Sequence, residues 1–353
     1  MKTIKRRAAA IAAIGIIALL AWGFWPRSTA SFSDAPSSAA VMLIRPVNGV
    51  NQQFLIRGTR KSDPVLLYLN GGPGTPEGIL NRLFASNLEQ SYVVVQWDQR
   101  GSGRSYPLFG PYPEQSIEHH LQDLHSVVGW LKQRYGRRKI ILVGHSWGSI
   151  LGILYSKRHP ENVALYVGIG QVVSMKDGED SSFAFTLNEA KRREDHQALE
   201  ELRAMGTPPF DFETTVRQRA YVDAYGGLFH KPVSPLEITV RAISAPEYTA
   251  EDLYRFFDGS DKTLRKLWPE ILRVDLRAQA PRLEVPVAFV LGRYDQTTPA
   301  PLAEAYLNAL NAPRKEAVWV EDAAHNPHWE NPDLFKELLD GFVSKMVSPE
   351  DVK

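Results

Sequence analysis

Apolar residues in this chain come in short, nearly unbroken runs separated by longer amphipathic stretches. Residues 65–69, 92–97, 139–143 and 163–169 are such runs. A segment apolar at nearly every position suits a strand buried on both faces, the usual state of a parallel sheet covered by helices. Between the runs, residues 117–135 carry Leu121, Leu124, Val128 and Leu131 at helical spacing, and residues 149–158 form a second predicted helix. Ahead of this alternation, residues 41–44 and 52–56 flank Asn48-Gly49, a dipeptide that favours a hairpin turn. The pattern predicts an α/β fold with a mostly parallel central sheet and helices on both faces.

The alternation breaks at about residue 171 and resumes near 276. The intervening stretch, 171–275, is charged, aromatic and helical in pattern, and is expected to be a helical cap inserted into the sheet domain. The dense charge of residues 184–205 reads as a solvated helix face. After the insertion come an apolar run at 285–291, a helix near 301–310, a strand near 317–320 and a closing helix near 332–345. The core is therefore predicted in two parts, 41–170 and 276–353.

The N-terminus follows a different pattern. Lys2, Lys5, Arg6 and Arg7 precede an uncharged stretch over residues 8–25 that ends in Trp22, Phe24 and Trp25. A basic flank followed by an apolar run addresses the export machinery, and aromatic rings favour the membrane interface. Residues 1–30 are thus expected to be a membrane anchor with the rest of the chain outside the cytoplasm, and residues 31–40, rich in Ser, Ala and Pro, a linker. The alternative is secretion after cleavage behind Ala30, where Ser28-Thr29-Ala30 has small residues at both required positions.

Charge and composition narrow the chemistry. With 41 basic and 40 acidic side chains the formal net charge is +1, so nothing in the balance draws the protein to nucleic acid. Cysteine is absent, which excludes disulfides, thiolate metal sites and a cysteine nucleophile. No window reads as a zinc or P-loop signature.

Gly144-His145-Ser146-Trp147-Gly148 stands between a predicted strand and a predicted helix. G-x-S-x-G in that context is a nucleophile elbow: a tight turn that projects the serine above the sheet edge. Ser146 is the candidate nucleophile, and the Trp147 N–H is placed to face a developing oxyanion. Asn70-Gly71-Gly72-Pro73-Gly74 follows an earlier strand, and the Gly72 N–H is the candidate second donor. A serine hydroxyl needs a base. Of nine histidines, His325 stands just after the last predicted strand, with His328 as its competitor. Asp295, just beyond the run 285–291, falls between serine and histidine in chain order, as this arrangement requires. Asp275 and Asp322 are less well placed. The glycine-rich run 98–105 lacks the dinucleotide or P-loop spacing and reads as a structural turn.

Together, Asn-Gly-Gly-Pro-Gly at 70–74, Trp-Asp-Gln-Arg-Gly-Ser-Gly-Arg-Ser at 97–105 and Gly-His-Ser-Trp-Gly-Ser at 144–149 resemble the proline iminopeptidase group of α/β-hydrolases from about residue 41 to the end. The resemblance implies an α/β-hydrolase core with a helical cap, no metal or organic cofactor, and removal of an N-terminal residue from peptides. It carries over Ser146, Asp295 and His325 as triad and Gly72 and Trp147 as oxyanion donors. Two features depart from the group. Asn70 stands where many members have histidine, and the insertion lacks the Trp-Glu pair whose glutamate helps to hold the substrate amine. Trp268 is followed by Pro269, and the one Trp-Glu pair is Trp329-Glu330. Glu247, Glu251, Asp252 and Glu330 are the acidic candidates for holding the substrate amine. An esterase or other small-molecule acyl hydrolase is the alternative, and an inactive membrane-tethered binding protein the alternative of another class.

Overall fold

The computed structural model describes residues 28–33, 36–234, 236, 240, 245 and 247–353. Eight strands make one sheet: β1 (Ala39–Val47), β2 (Val50–Gly58), β3 (Val65–Leu69), β4 (Val93–Asp98), β5 (Ile140–His145), β6 (Val163–Ile169), β7 (Val287–Gly292) and β8 (Lys315–Val320). Their spatial order is β1-β2-β4-β3-β5-β6-β7-β8. The first two strands pair antiparallel through the Asn48-Gly49 turn, where both residues take positive φ (45° and 80°) as a tight hairpin turn requires. β2 also runs antiparallel to β4, and every later pairing is parallel. The architecture is the α/β sheet expected from the apolar runs.

Alternate residues of each central strand feed opposite layers. After β3 comes α1 (Gly78–Phe84); Leu67, Leu69 and Leu142 face one core with the helices α2 (Ile117–Tyr135) and α3 (Trp147–Arg158). Leu66, Tyr68, Ile141 and Val143 face the other, closed by Phe335, Leu339 and Phe342 of the C-terminal helix Pro332–Met346. Both faces are buried, which is why these strands show no polar alternation.

The segment after β6 is helical: α4 (Met175–Arg192), α5 (His196–Ala204), α6 (Phe212–Ala224) and α7 (Ala250–Ile271). It leaves and rejoins the sheet at one place. Ser174 bridges Asp275, the Met175 N–H donates to the Val274 carbonyl (3.0 Å), and the Leu276 N–H donates to Val173 (2.7 Å). The charged stretch 184–205 spans two helices that reverse at Glu194, whose φ is 55°. Its inner face is not solvated. Ala190, Ala198, Leu199 and Leu202 pack with Phe183 and Phe210 in a small core of their own.

The chain joins the fold earlier than a free linker would. Arg57, buried on β2, needs acceptors for its guanidinium, and it finds Thr29 Oγ1, the Ala30 carbonyl (2.7 Å) and Glu89 (2.9 Å). Thr29 is itself buried. Thr29 and Ala30, assigned from the sequence to the end of the anchor segment, therefore belong to the packed fold. The basic and apolar stretch read as an anchor lies outside the described residues, among which no helix is long and apolar enough to cross a membrane.

Candidate active site

Four loops meet at the carboxyl edge of the sheet, after β3, β5, β7 and β8. The loop after β5 is the tightest. Ser146 adopts φ 52° and ψ −118°, a sparsely populated backbone state for a residue with a side chain. The neighbours explain how the state is held. A Cβ at Gly148 would overlap the Leu69 carbonyl oxygen, and one at Gly144 would lie 2.7 Å from the Gly148 oxygen, so only glycine fits at either place. The Ser146 N–H donates to the Ile169 carbonyl at the end of β6 (3.0 Å). Trp147 opens α3, so its N–H belongs to the first turn and has no acceptor within the helix. Gly72, with φ 105°, lines the same cavity as Ser146 and Trp147. Asn70 ties this loop to the neighbouring strand through its side-chain amide, which donates to the Trp97 carbonyl (3.0 Å).

Asp295 and His325 are both almost fully buried, and His325 Nδ1 lies 2.9 Å from Asp295 Oδ2. The carboxylate is heavily solvated by its own turn. Oδ1 accepts from the Thr297 and Thr298 N–H groups (3.0 and 2.9 Å), and Oδ2 also accepts from Thr298 Oγ1 (2.9 Å). The imidazole lies against Gly170, the residue after Ile169; a Cβ there would come within 2.5 Å of His325 Cε1. The His325 N–H donates to the Leu228 carbonyl (3.1 Å), which fastens the histidine loop to the cap.

His328, the competitor, does not line the site. It is fully buried against Tyr68, His145, Trp329 and Phe335, and burial, with His145 and His325 adding to it, holds its pKa well below the usual histidine value. The run 98–105 is tied down by an ion pair and by a backbone hydrogen bond to a carboxylate. Arg100 donates to Asp123 through Nε and Nη2 (2.9 and 2.8 Å), and the Arg104 N–H donates to Asp98 (2.9 Å).

Two spaces open beside Ser146. One is an apolar cavity of about 300 Å³ under the cap, walled by Ile150, Val173, Phe212, Leu264 and Trp268 among others. The other is a wider cleft of about 1210 Å³ that also takes in His325, Phe229 and Phe257.

None of the four acidic candidates lines either space. Glu247 is buried elsewhere, accepting from Thr29 (2.8 Å) beside Arg82 (3.3 Å). Asp252 forms a two-pronged pair with Arg104 (2.7 Å) and closes a capping box at Thr249. Glu251 pairs with Arg255 one helical turn away. Glu330 accepts from the N–H groups of His230 (2.7 Å) and Ala324 (2.8 Å), so it joins the cap segment to the histidine loop; burial raises its pKa.

The acid that does line the apolar cavity is Glu179 of α4, buried, with one oxygen held by Arg219 and the other without a hydrogen-bond partner. Its signal is present in the sequence. Met175, Glu179, Ser182, Phe183 and Thr186 recur at helical spacing, and all are buried on one face of the helix. A carboxylate in the middle of such a face calls for a partner or a purpose.

A family model for the alpha/beta hydrolase fold matches residues 64–332. The chain belongs to the α/β-hydrolase family, and it is a hydrolase of that family. Among its relatives, a probable aminopeptidase of Bacillus subtilis (strain 168), YbaC, is 32% identical over 306 residues, covering 86% of this chain and 96% of the relative. A proline iminopeptidase of Saccharolobus solfataricus is 25% identical over 316 residues, covering 86% and 93%. Among solved structures, a proline iminopeptidase-related protein from Thermus thermophilus superposes with a TM-score of 0.63 at 19% identity, covering 88% of this chain and 99% of that one. The family resemblance read from the motifs is thus shown.

Proposed function

We propose that this hydrolase is a serine aminopeptidase of the proline iminopeptidase type. It removes N-terminal residues from peptides through an acyl-enzyme at Ser146. His325 takes the Ser146 proton as the oxygen attacks the scissile carbonyl, and Asp295 holds the imidazole in the Nδ1–H tautomer and stabilises the imidazolium that forms. The oxyanion sits between the N–H groups of Gly72 and Trp147. Both are backbone donors fixed by the fold, so they need no reorganisation as charge develops. His325 then protonates the leaving amine, and water repeats the cycle to release the acid.

The observation that carries the peptidase reading is Glu179. A substrate with a free N-terminus brings an ammonium group close to the scissile bond, and burying it without a carboxylate costs on the order of several kcal/mol. Glu179 is the acid among the residues lining the apolar cavity beside Ser146, and one of its oxygens is uncommitted. The kinship with proteins named aminopeptidase and proline iminopeptidase supports the same reading. The apolar walls of that cavity favour a second reading, an esterase for small acyl groups. Blocking the amine separates the two. Prolyl-naphthylamide should be cleaved and its N-acetyl form should not, and Glu179→Gln should raise KM for the free-amine substrate by about 10- to 100-fold. Equal cleavage of the acetylated form, with simple acyl esters turned over fast, would leave the esterase.

For location, the proposal rests on residues 2–25 alone: an anchor in the membrane with the hydrolase outside the cytoplasm. Alkaline phosphatase fused to the C-terminus should be active in a bacterial host, and an inactive but expressed fusion would refute it.

A further inference from the structure

The second residue of the elbow, His145, makes two contacts that the mechanism above does not use. Its Nδ1 lies 2.6 Å from Glu77 Oε1, and its Nε2 lies 3.2 Å from the backbone carbonyl of His325. Glu77 and His145 are both buried, and Glu77 Oε2 has no partner. A carbonyl oxygen only accepts, so Nε2 must carry a proton. A carboxylate also only accepts, so Nδ1 must carry one too. The ring that satisfies both contacts is an imidazolium paired with a carboxylate.

We propose that His145 is a standing imidazolium that positions the catalytic base, its Nε2–H holding the carbonyl of His325 while Glu77 balances its charge. This rests on the reading of His325 as base. Loss of a proton from His145 has a defined consequence. Glu77, the stronger acceptor, keeps the Nδ1 proton, so Nε2 is the nitrogen stripped. Its lone pair then faces the lone pairs of the His325 carbonyl, and attraction becomes repulsion directly behind the base. Activity therefore falls on the alkaline side for a reason separate from the titration of the triad.

The charged and titratable groups around the ring agree with this state. Glu77 approaches from the loop before the helix Gly78–Phe84, Tyr68 from β3, Asp295 from the loop after β7, and His325 and His328 from the loop and helix after β8. Tyr68 stays neutral because burial raises its pKa, and His328 stays neutral because burial lowers its own. Burial alone would push His145 down as well, but the Glu77 carboxylate outweighs it and holds the ring above the ordinary histidine value. The sign for stability follows. With the folded-state pKa raised, the pair stabilises the fold fully below the unfolded histidine pKa, and the contribution is lost as pH rises through the folded value.

Two measurements on the full chain test the proposal. In ¹⁵N-imidazole NMR, the His145 signals, assigned by their loss in His145→Gln, should show both ring nitrogens protonated at neutral pH and one stripped on the alkaline side. A neutral ring at neutral pH, with the shared proton on Glu77, overturns it. The second measurement is the rate of Ser146 modification by a fluorophosphonate as a function of pH. Glu77→Gln should move the alkaline limb down by about one pH unit or more, slowing labelling about tenfold on the alkaline side and much less on the acid side. An equal loss at every pH, or none, overturns the positioning role. If the parent enzyme takes no label at all, it is the Ser146 assignment that falls, and the NMR result still decides the charge on His145.

Discussion

Two buried carboxylate–imidazole pairs stand side by side at the edge of this sheet, their rings 4.9 Å apart between centroids: Asp295 with His325, and Glu77 with His145. At the first nitrogen each ring meets a carboxylate oxygen, and His325 Nδ1 also lies 3.2 Å from Thr298 Oγ1. They differ in what surrounds the acid and in what meets the second nitrogen. Asp295 receives three further hydrogen bonds from Thr297 and Thr298, whereas Glu77 leaves one oxygen unpartnered. Both rings line the cleft beside Ser146, but of the two only His145 has its Nε2 set against a backbone carbonyl. An imidazole whose second nitrogen is open to a serine can shuttle a proton; one whose second nitrogen already holds an acceptor can only hold a position. Residue type does not separate the two, but the second partner does.

The comparison breaks most sharply at the nucleophile. Ser146→Ala and His325→Ala should each lower turnover by about 10⁶, with thermal unfolding and circular dichroism close to the parent's. A Ser146→Ala enzyme that still hydrolyses a good substrate at near the parent's rate would refute the assignment. Asp295→Asn comes next, with a loss of about 10⁴ at every pH because the amide favours the wrong tautomer. That flat loss contrasts with the pH-dependent loss expected of Glu77→Gln, and identical pH profiles for the two variants would erase the distinction between the pairs. Thr298→Val removes one hydrogen bond to Asp295 and should slow turnover by about three- to tenfold, the equivalent of about 1 kcal/mol. The smallest effect on rate belongs to the N-terminal segment. A chain beginning at Ser31 lacks the Thr29 hydroxyl and the Ala30 carbonyl, and so leaves Arg57 and Glu247 short of partners. It should keep kcat but lose about 1–3 kcal/mol of stability relative to one beginning at Ser28, read by denaturant unfolding.

The parts of the site that are legible in the sequence are those that local chain geometry determines. An elbow needs glycines two residues either side of a serine, a strand before and a helix after, and all of that is written within residues 139–158. Asp295 and His325 stand out because each follows the end of an apolar run. What escapes depends on segments meeting in space. Glu77 sits in a loop with no periodic pattern, 68 residues from the histidine it pairs with. His328 sits three residues from His325, yet it turns into the core, because the short helix Pro327–Glu330 rotates it onto Tyr68. The acidic candidates are near the cap's aromatic stretches or His325 in sequence, and nearness in sequence does not bring them to the cavity. Three of them instead meet arginines, Arg82, Arg104 and Arg255, and the fourth caps backbone N–H groups. Strand ends are the other weakness. β1 and β2 run past both ends of their apolar stretches, because the ladder from Ala39↔Gly58 to Val47↔Val50 continues through polar residues.

The narrow neck of the helical segment has a consequence for how such a protein changes over time. Ser174 and Asp275 sit opposite each other in a two-residue bridge, so everything between them leaves and re-enters the sheet through one doorway. Ser146, Asp295, His325 and Gly72 all lie on the sheet side of that doorway, and Glu179 and about half of the apolar wall lie beyond it. Recombination at the neck can exchange one set of walls for another while the residues proposed to break the bond keep their geometry. The hydrolase is in that sense a handle with a detachable head, and a graft made at positions 174 and 275 is where a laboratory would first try to give it new tastes.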